Sequence, residues 1–289
     1  MENKIACDLI KLGLIDEKRL EKFSARVRDR DDIGVLRDTE TGIIFLDRSD
    51  HMDMAHYESI EGGSYWGAKD RAEALEKYRE DDERRAKQFH DLIVGKDVID
   101  VGCGTGGFMD QIKRASHSIS GIEPQEYVRK ELITLGYEMY RVPEEAPESR
   151  FDIATLFHVL EHITDPLETL AATRKLLRPG GKIVIEVPHA RDVLFSLDSF
   201  KQFSLWSEHF ILHTKESLRA FLQAGGFKNI EIQGFQRYPL ANHIGWLVSG
   251  EPGGQKKFPA LRSTDIERTY ERILIEAHKT DTLIAYAEA

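Results

Sequence analysis

The stretch that most constrains this chain is residues 98–109, Val-Ile-Asp-Val-Gly-Cys-Gly-Thr-Gly-Gly-Phe-Met. It opens apolar and β-branched, as a strand buried on both faces does. Gly102, Gly104 and Gly106 then alternate with other residues, Gly107 follows, and Phe108-Met-Asp-Gln-Ile-Lys-Arg starts a helix. Strand, glycine turn and helix in that order let a nucleotide lie against bare main chain at the start of a helix. Spacing alone also meets the dinucleotide pattern G-x-G-x-x-G at Gly102, Gly104 and Gly107. Two acids sharpen this. Asp100 stands just before the first glycine. Glu123 closes a second predicted strand, about twenty residues further on, where a carboxylate can take both hydroxyls of a ribose. The expected ligand is an adenosine with a free ribose diol.

Downstream the pattern alternates. Strands are expected at 97–101, 118–122, 138–141, 151–157 and 182–187, with helices at 108–115, 125–135 and 166–177. Such alternation gives an α/β fold: a mainly parallel sheet, helices on both faces, and the ligand at the carboxyl ends of the strands. Further on, 216–224 reads as a helix stopped by Gly225-Gly226, 229–234 as a strand, 264–278 as a helix and 283–287 as a last strand. Residues 239–262, with Gly250, Pro252, Gly253 and Gly254, read as loop. At the front, residues 3–13 read as a helix, Asp16 is expected to cap a second helix through about Val27, and 33–46 pattern as a β-hairpin around Gly42. Residues 68–94 read as a long, highly charged helix with a partial apolar stripe.

Four motifs then occur in order: Asp-Val-Gly-Cys-Gly-Thr-Gly, Gly-Ile-Glu-Pro, Phe-Asp-Ile-Ala-Thr-Leu-Phe-His-Val-Leu-Glu-His-Ile and Leu-Leu-Arg-Pro-Gly-Gly-Lys-Ile-Val-Ile-Glu-Val-Pro. Together they resemble the class I S-adenosylmethionine-dependent methyltransferases over roughly residues 65–235. The resemblance implies a Rossmann-like doubly wound sheet of seven strands, mostly parallel with an antiparallel last strand, and S-adenosylmethionine as cofactor. It divides the chain into a small N-terminal α+β cap at 1–64, a candidate dimerisation element, and a methyltransferase domain at 65–289 with an insertion at about 239–280. It also implies that Gly102, Cys103, Gly104 and Gly106 approach the methionine and ribose. Asp100 accepts from the glycine loop or the cofactor ammonium, Glu123 holds the ribose, and Pro124 and Gln125 line the adenine side. Glu144 or Glu145 supplies a further adenine contact. Tyr65 and Trp66 form a lid, ordinary packing under a loop being the alternative. Phe157 and His158 line the methyl–sulfur side.

Methyl transfer is an in-line displacement with a neutral leaving group. The protein must align the acceptor and, for a hydroxyl or carbon, remove a proton. The segment Leu205-Trp-Ser-Glu-His-Phe-Ile-Leu-His-Thr is similar to the Glu-His stretch of sugar C-methyltransferases, which implies His209 as general base oriented by Glu208. His158 is the second candidate base, and a site without a dedicated base is the third possibility. His162 and His213 read as structural. Asn242, His243 and Trp246 are candidate acceptor contacts, on a segment that resembles methyltransferases of bacterial surface-sugar pathways.

Composition excludes several classes. The formal net charge is -10 with no basic tract, so a non-specific grip on nucleic acid is not expected. Cys7 and Cys103 are the only cysteines, which argues against a disulfide scaffold. The histidines lack a dense ligand spacing and no C-x-x-C occurs, so no metal site is expected. The start lacks a signal peptide and no apolar run could span a bilayer, so the expected location is cytoplasmic. The expected activity is methylation of a small molecule, a sugar or surface-polysaccharide precursor, at oxygen. The rivals are a sugar C-methyltransferase, a nucleic-acid methyltransferase, an NAD-dependent oxidoreductase or epimerase, and a non-catalytic binding module. No Asn/Asp-Pro-Pro-Tyr signature supports the nucleic-acid enzyme and no Tyr-x-x-x-Lys pair supports the oxidoreductase. The intact glycine loop and Glu123 count against the binding module.

Overall fold

The computed structural model describes residues 3–52, 58, 68–261 and 263–289. The chain begins with α1 (Lys4–Lys11), whose first turn is capped by Asn3 accepting from the Ala6 amide at 3.2 Å. Three strands follow, β1 (Leu20–Ser24), β2 (Val35–Asp38) and β3 (Ile44–Leu46). Helix α2 (Arg71–Gln88) is capped by Asp70 on the Glu73 amide at 2.9 Å. The alternating part then runs β4 (Asp97–Val101), α3 (Gly107–Ile112), β5 (Ser118–Ile122), α4 (Glu126–Thr134), β6 (Glu138–Tyr140), β7 (Phe151–Phe157), α5 (Pro166–Leu176) and β8 (Leu177–Pro188). After it come α6 (Asp198–Ser204), β9 (Ile211–Leu212), α7 (Lys215–Ala224), β10 (Lys228–Phe235), α8 (Leu240–Ser249), α9 (Thr264–Glu276) and β11 (Thr282–Glu288).

Seven strands form one sheet in the order β10-β11-β8-β7-β4-β5-β6. β4 pairs in parallel with both β5 and β7, and β11 enters antiparallel to both β8 and β10. This is the doubly wound α/β sheet the alternation implied. The order reverses at β4: β5 and β6 lie to one side of it, β7 and β8 to the other. A crevice opens at the carboxyl ends of the strands where such a reversal occurs. The glycine turn after β4 and His158 after β7 therefore face each other across it.

The N-terminal strands make a second, antiparallel sheet in the order β1-β2-β3-β9. Its fourth strand comes from far downstream, with Ile44 opposite Leu212 and Phe45 opposite Ile211. Ile5, Leu9, Phe45 and Phe210 share one buried cluster with Phe151 and Ile183 of the central sheet.

Two expectations are corrected. No helix runs from Asp16 to Val27. Asp16 does accept from the Lys18 amide at 2.9 Å, but it caps only a short turn before β1. Long-range pairing overrides the local signal there: Arg19 donates to the buried Asp38 carboxylate at 2.9 Å, and Glu21 pairs with Arg37 across the two strands. Residues 240–249 are helix α8 rather than loop. The glycine cluster after it ends the helix, Gly250 taking φ +68 at the C-terminal cap. Gly245 inside α8 has a packing reason, because a Cβ there would lie 2.6 Å from the Gly254 Cα. Among the described residues, no helix is long and apolar enough to cross a membrane.

Phe210 is fully buried; its amide donates to the Glu161 carbonyl at 2.8 Å and its own carbonyl accepts from Leu46 at 3.0 Å. It joins the small sheet to the rim of the large one. Phe210→Ala is expected to lower unfolding free energy by about 3–5 kcal/mol in urea titrations. A loss below about 1 kcal/mol would show that the junction is not packed as described.

Candidate active site

The crevice encloses a cavity of about 660 Å³, a volume normal for small-ligand sites. The glycine turn forms one wall. Gly102, Gly104 and Gly106 all have positive φ, at +70°, +52° and +75°. At Gly102 a Cβ would also lie 2.5 Å from a Val159 methyl, so no other residue fits. Behind the turn, Asp100 is buried and accepts from the Thr155 hydroxyl at 2.6 Å. Glu123, at the end of β5, is also buried. One carboxylate oxygen accepts from the Gly104 amide at 3.0 Å and the other from Gln125 at 2.9 Å. Burial pushes both carboxyls up to about 7, against these hydrogen bonds.

Pro124, Gln125, Val142 and Pro143 continue this wall. Glu144 and Glu145, the expected adenine contacts, do not line the cavity. Glu145 instead pairs with the Arg141 guanidinium at 3.0 Å. Cys103 lines the cavity beside Glu123, and Phe157 closes its floor, stacked on Phe89 at 5.4 Å and edge-on to Phe108 at 5.0 Å. Tyr65 and Trp66, the expected lid, lie outside the described residues.

A chain of paired charges links α2 to β8 and the end of β7. Glu186 of β8 is fully buried and accepts from Arg84 at 2.8 and 2.9 Å and from Arg85 at 2.8 Å. His158 stands between two acids, its Nδ1 3.1 Å from Glu161 and its Nε2 3.2 Å from Glu186. Burial alone would lower the imidazole, but these two carboxylates outweigh it and raise it above its usual value. Burial likewise opposes ionisation of Glu161, yet His158 and the neighbouring histidines hold it down at about 2. His158 also carries φ +55, fixed by its amide donating to the Glu186 carbonyl at 2.8 Å. It lines the cavity as expected, with a carboxylate beside each ring nitrogen.

Beyond His158 the second half of the cavity is bounded by His162, Glu208 and His209, by Phe195, Phe200 and Phe203, and by α8. His209 packs edge-on against His162 with ring centres 4.8 Å apart. Burial, then His162, drives its pKa down to about 3. An imidazole held there is a poor base for a hydroxyl, which counts against His209, the first candidate. The carboxylate that acts on it is Glu161, not the half-exposed Glu208. His213 contacts the Ser217 hydroxyl of the α7 capping box at 3.1 Å, a structural place as expected. Asn242, His243 and Trp246 all line the cavity from α8. The sequence spacing of the histidines suggested no metal site, yet the fold collects donor atoms of Glu161, His162 and His209 within 4.8 Å of one another.

Sequence reasoning missed Arg84, Arg85, Glu161, Glu186, Asp192, Arg237 and Asp281. One signal was available: Glu186 interrupts the β-branched run Ile183-Val-Ile-Glu-Val, and a charge there needs a buried partner. Arg237 was harder to find. It pairs with Asp81 of α2, while Asp281 accepts from the Arg237 and Tyr238 amides at 2.9 Å each.

A family model described as "Methyltransferase domain" matches residues 70–232. The ubiquinone biosynthesis O-methyltransferase of Stutzerimonas stutzeri is 31% identical over 147 residues, covering 46% of this chain and 61% of that protein. Its Pectobacterium carotovorum counterpart is 27% identical over 144 residues, covering 46% and 60%. The chain thus spans about three-fifths of the length of these relatives. A SAM-dependent methyltransferase from Archaeoglobus fulgidus has a similar structure, with TM-score 0.53 and 19% identity, covering 74% of this chain and 97% of that one. Phosphoethanolamine N-methyltransferase 2 of Haemonchus contortus, solved with S-adenosyl-L-methionine, gives 0.51 at 14% identity, covering 85% and 62%. At these identities the structural likeness concerns the fold.

The residues present fit S-adenosylmethionine. The Gly102 main chain is bare, Glu123 reaches the cavity from β5, and buried Asp100 can meet an ammonium. Because Asp100 and Glu123 hold protons up to about 7, a cationic ligand that prefers them ionised must displace those protons. S-adenosylhomocysteine affinity is expected to rise as pH climbs through about 7 and then level off. Calorimetry in buffers of different ionisation enthalpy should show proton release; proton uptake or no linkage overturns the assignment.

Proposed function

This chain belongs to the class I S-adenosylmethionine-dependent methyltransferases, and on that premise we propose that it methylates a hydroxyl on a small acceptor carrying a planar, largely apolar ring. One observation carries the acceptor class. The half of the cavity beyond His158 is walled by aromatic side chains, with Phe195 and Phe200 centres 5.2 Å apart and Phe200 and Phe203 each 5.1 Å from Trp246. A flat ring gains both area burial and edge or face contacts there. The similarity to O-methyltransferases of ubiquinone biosynthesis supports oxygen as the methylated atom.

When bound, the cofactor supplies an electrophilic methyl on a positively charged sulfur. The chain's own residues do the rest. Glu123 and the Gly104 amide orient the ribose, and Asp100 receives the ammonium. Phe157 and Val159 keep water from the floor of the crevice. His158 holds Glu161 and Glu186 in place, so the boundary between the two halves is rigid and the acceptor oxygen can be aligned with the methyl. The aromatic wall fixes the ring plane.

A sugar-containing acceptor is the second reading, and a different set of groups favours it. Asp192, Asn242, His243 and Asp281 bring buried polar atoms to the same half of the cavity. Burial and the neighbouring Asp281 push Asp192 up to about 8, so it can donate to a hydroxyl as well as accept.

The test is an acceptor screen with methyl-labelled cofactor, running phenols and catechols beside sugar nucleotides and amines. Label on a phenolic oxygen is expected. Label confined to sugars moves the conclusion to the second reading, and label on amines alone overturns both. Trp246→Ala should raise the acceptor KM while leaving S-adenosylhomocysteine affinity unchanged. Glu123→Ala should do the opposite, weakening that affinity by about 2 kcal/mol. Equal effects of the two variants would show that the cavity is not divided in this way.

A further inference from the structure

We infer that Glu161, His162 and His209 form a binding site for one first-row divalent metal ion, open on the acceptor side of the cavity. The inference rests on the proposed division of the cavity, because only then do the open positions face an acceptor oxygen. Two segments distant in sequence supply the ligands. Glu161 and His162 lie in the turn Leu160–His162 after β7, and His209 lies just before β9. A main-chain bond sets the segments side by side, the Phe210 amide donating to the Glu161 carbonyl at 2.8 Å. One donor atom from each side chain falls within 4.8 Å of the other two. With metal–ligand bonds of roughly 2.0–2.2 Å, a central ion would draw each donor in by less than about 1 Å.

A second observation points to a ligand. Glu161 is fully buried, and while one of its oxygens meets His158, its Oε2 has no hydrogen-bond partner in the protein. An unmatched carboxylate oxygen in such a place is costly unless something neutralises it. All three side chains line the same cavity, so that something can be a bound ion with room for further ligands. Two imidazoles and one carboxylate suit a divalent transition metal and leave coordination positions open. His158 acts from behind as a positioning residue, since it fixes the rotamer of Glu161. An acceptor hydroxyl bound at an open position would lose its proton to water more readily.

The experiment uses the full chain, stripped with a chelator, and zinc as the probe. Calorimetry should find one zinc per chain, and histidine ring resonances assigned to His162 and His209 should shift on titration. S-adenosylhomocysteine binding is measured on the same sample. Glu161→Gln and His209→Ala should each weaken zinc binding by more than the roughly 10- to 100-fold typical of losing an outer-shell partner. His90→Ala, on the far surface, should change nothing. If Glu161→Gln fails to fold, His162→Ala and the resonance map of the unmodified protein decide the matter. A folded protein that binds S-adenosylhomocysteine but no zinc overturns the metal site and leaves the methyltransferase reading standing. Zinc binding without S-adenosylhomocysteine binding does the reverse. Zinc bound while the His162 and His209 resonances stay still also overturns the proposal.

Discussion

Glu186 is a carboxylate with no exposure, in the middle of an apolar strand. Such a group is tolerated only when opposite charge and hydrogen bonds replace the water it has lost. Arg84 and Arg85 reach it from α2, and His158 reaches it from the end of β7. The rest of the crevice depends on this matching. It pins a long polar helix across the carboxyl ends of the sheet, a position that the weak apolar stripe of that helix could not secure. The near end of α2 is then fixed by Arg71 donating to the Thr105 carbonyl of the glycine turn at 2.9 Å. Removing one partner would strand a buried charge, a loss of about 3–5 kcal/mol in comparable settings. The helix therefore serves the site more than the core, and its inward charges are its working face.

The same burial has opposite outcomes at four acids, and the difference lies in their partners. Asp100 and Glu123 meet only neutral donors, a hydroxyl and two amides, so burial wins and both keep protons to about 7. Glu161 meets the His158 imidazole, and Glu186 meets that imidazole and two guanidinium groups, so both are held below the usual carboxyl range. The Asp100 and Glu123 carboxyls thus have no cation hydrogen-bonded to them among the described residues. The acceptor half is already balanced at its boundary. The proposed division follows from this: a cofactor carrying two cationic groups on the first side, a neutral acceptor on the second.

The central sheet was legible because its signals are local. Asp97–Val101, Ser118–Ile122 and Phe151–Phe157 are short β-branched runs bounded by turn residues, and their ends fell where the sequence placed them. The glycine turn was legible because Gly102 needs both a positive φ and an absent Cβ, and no other residue satisfies both. Leu20–Ser24 was not, since its strand state comes from partners beyond its own neighbourhood. Nor were the roles of His158 and His209. Imidazole is a base, an acid, a ligand or a cation according to what lies within a few ångströms, and sequence spacing does not report that. Glu161 bears on both cases: it raises the His158 imidazole above its usual value and acts on His209, yet in the sequence it is merely one acid between two histidines.

That dependence bears on the proposed methylation of a hydroxyl. A sulfonium methyl needs little from the protein beyond alignment, but an uncharged hydroxyl is a weak nucleophile at neutral pH. A positioned imidazole would be the simplest remedy, and each half of this site offers one that is spoiled for the task. His158 is engaged by two carboxylates, and burial, then His162, drives the His209 pKa down to about 3. Two imidazoles beside a buried acid with an unpartnered oxygen are matched to an ion. An ion at that place would also explain why the fold keeps Glu161 dry and ionised instead of replacing it with an amide. The charge that burial should have removed is retained by His158 on one side, and is presented to the acceptor half on the other.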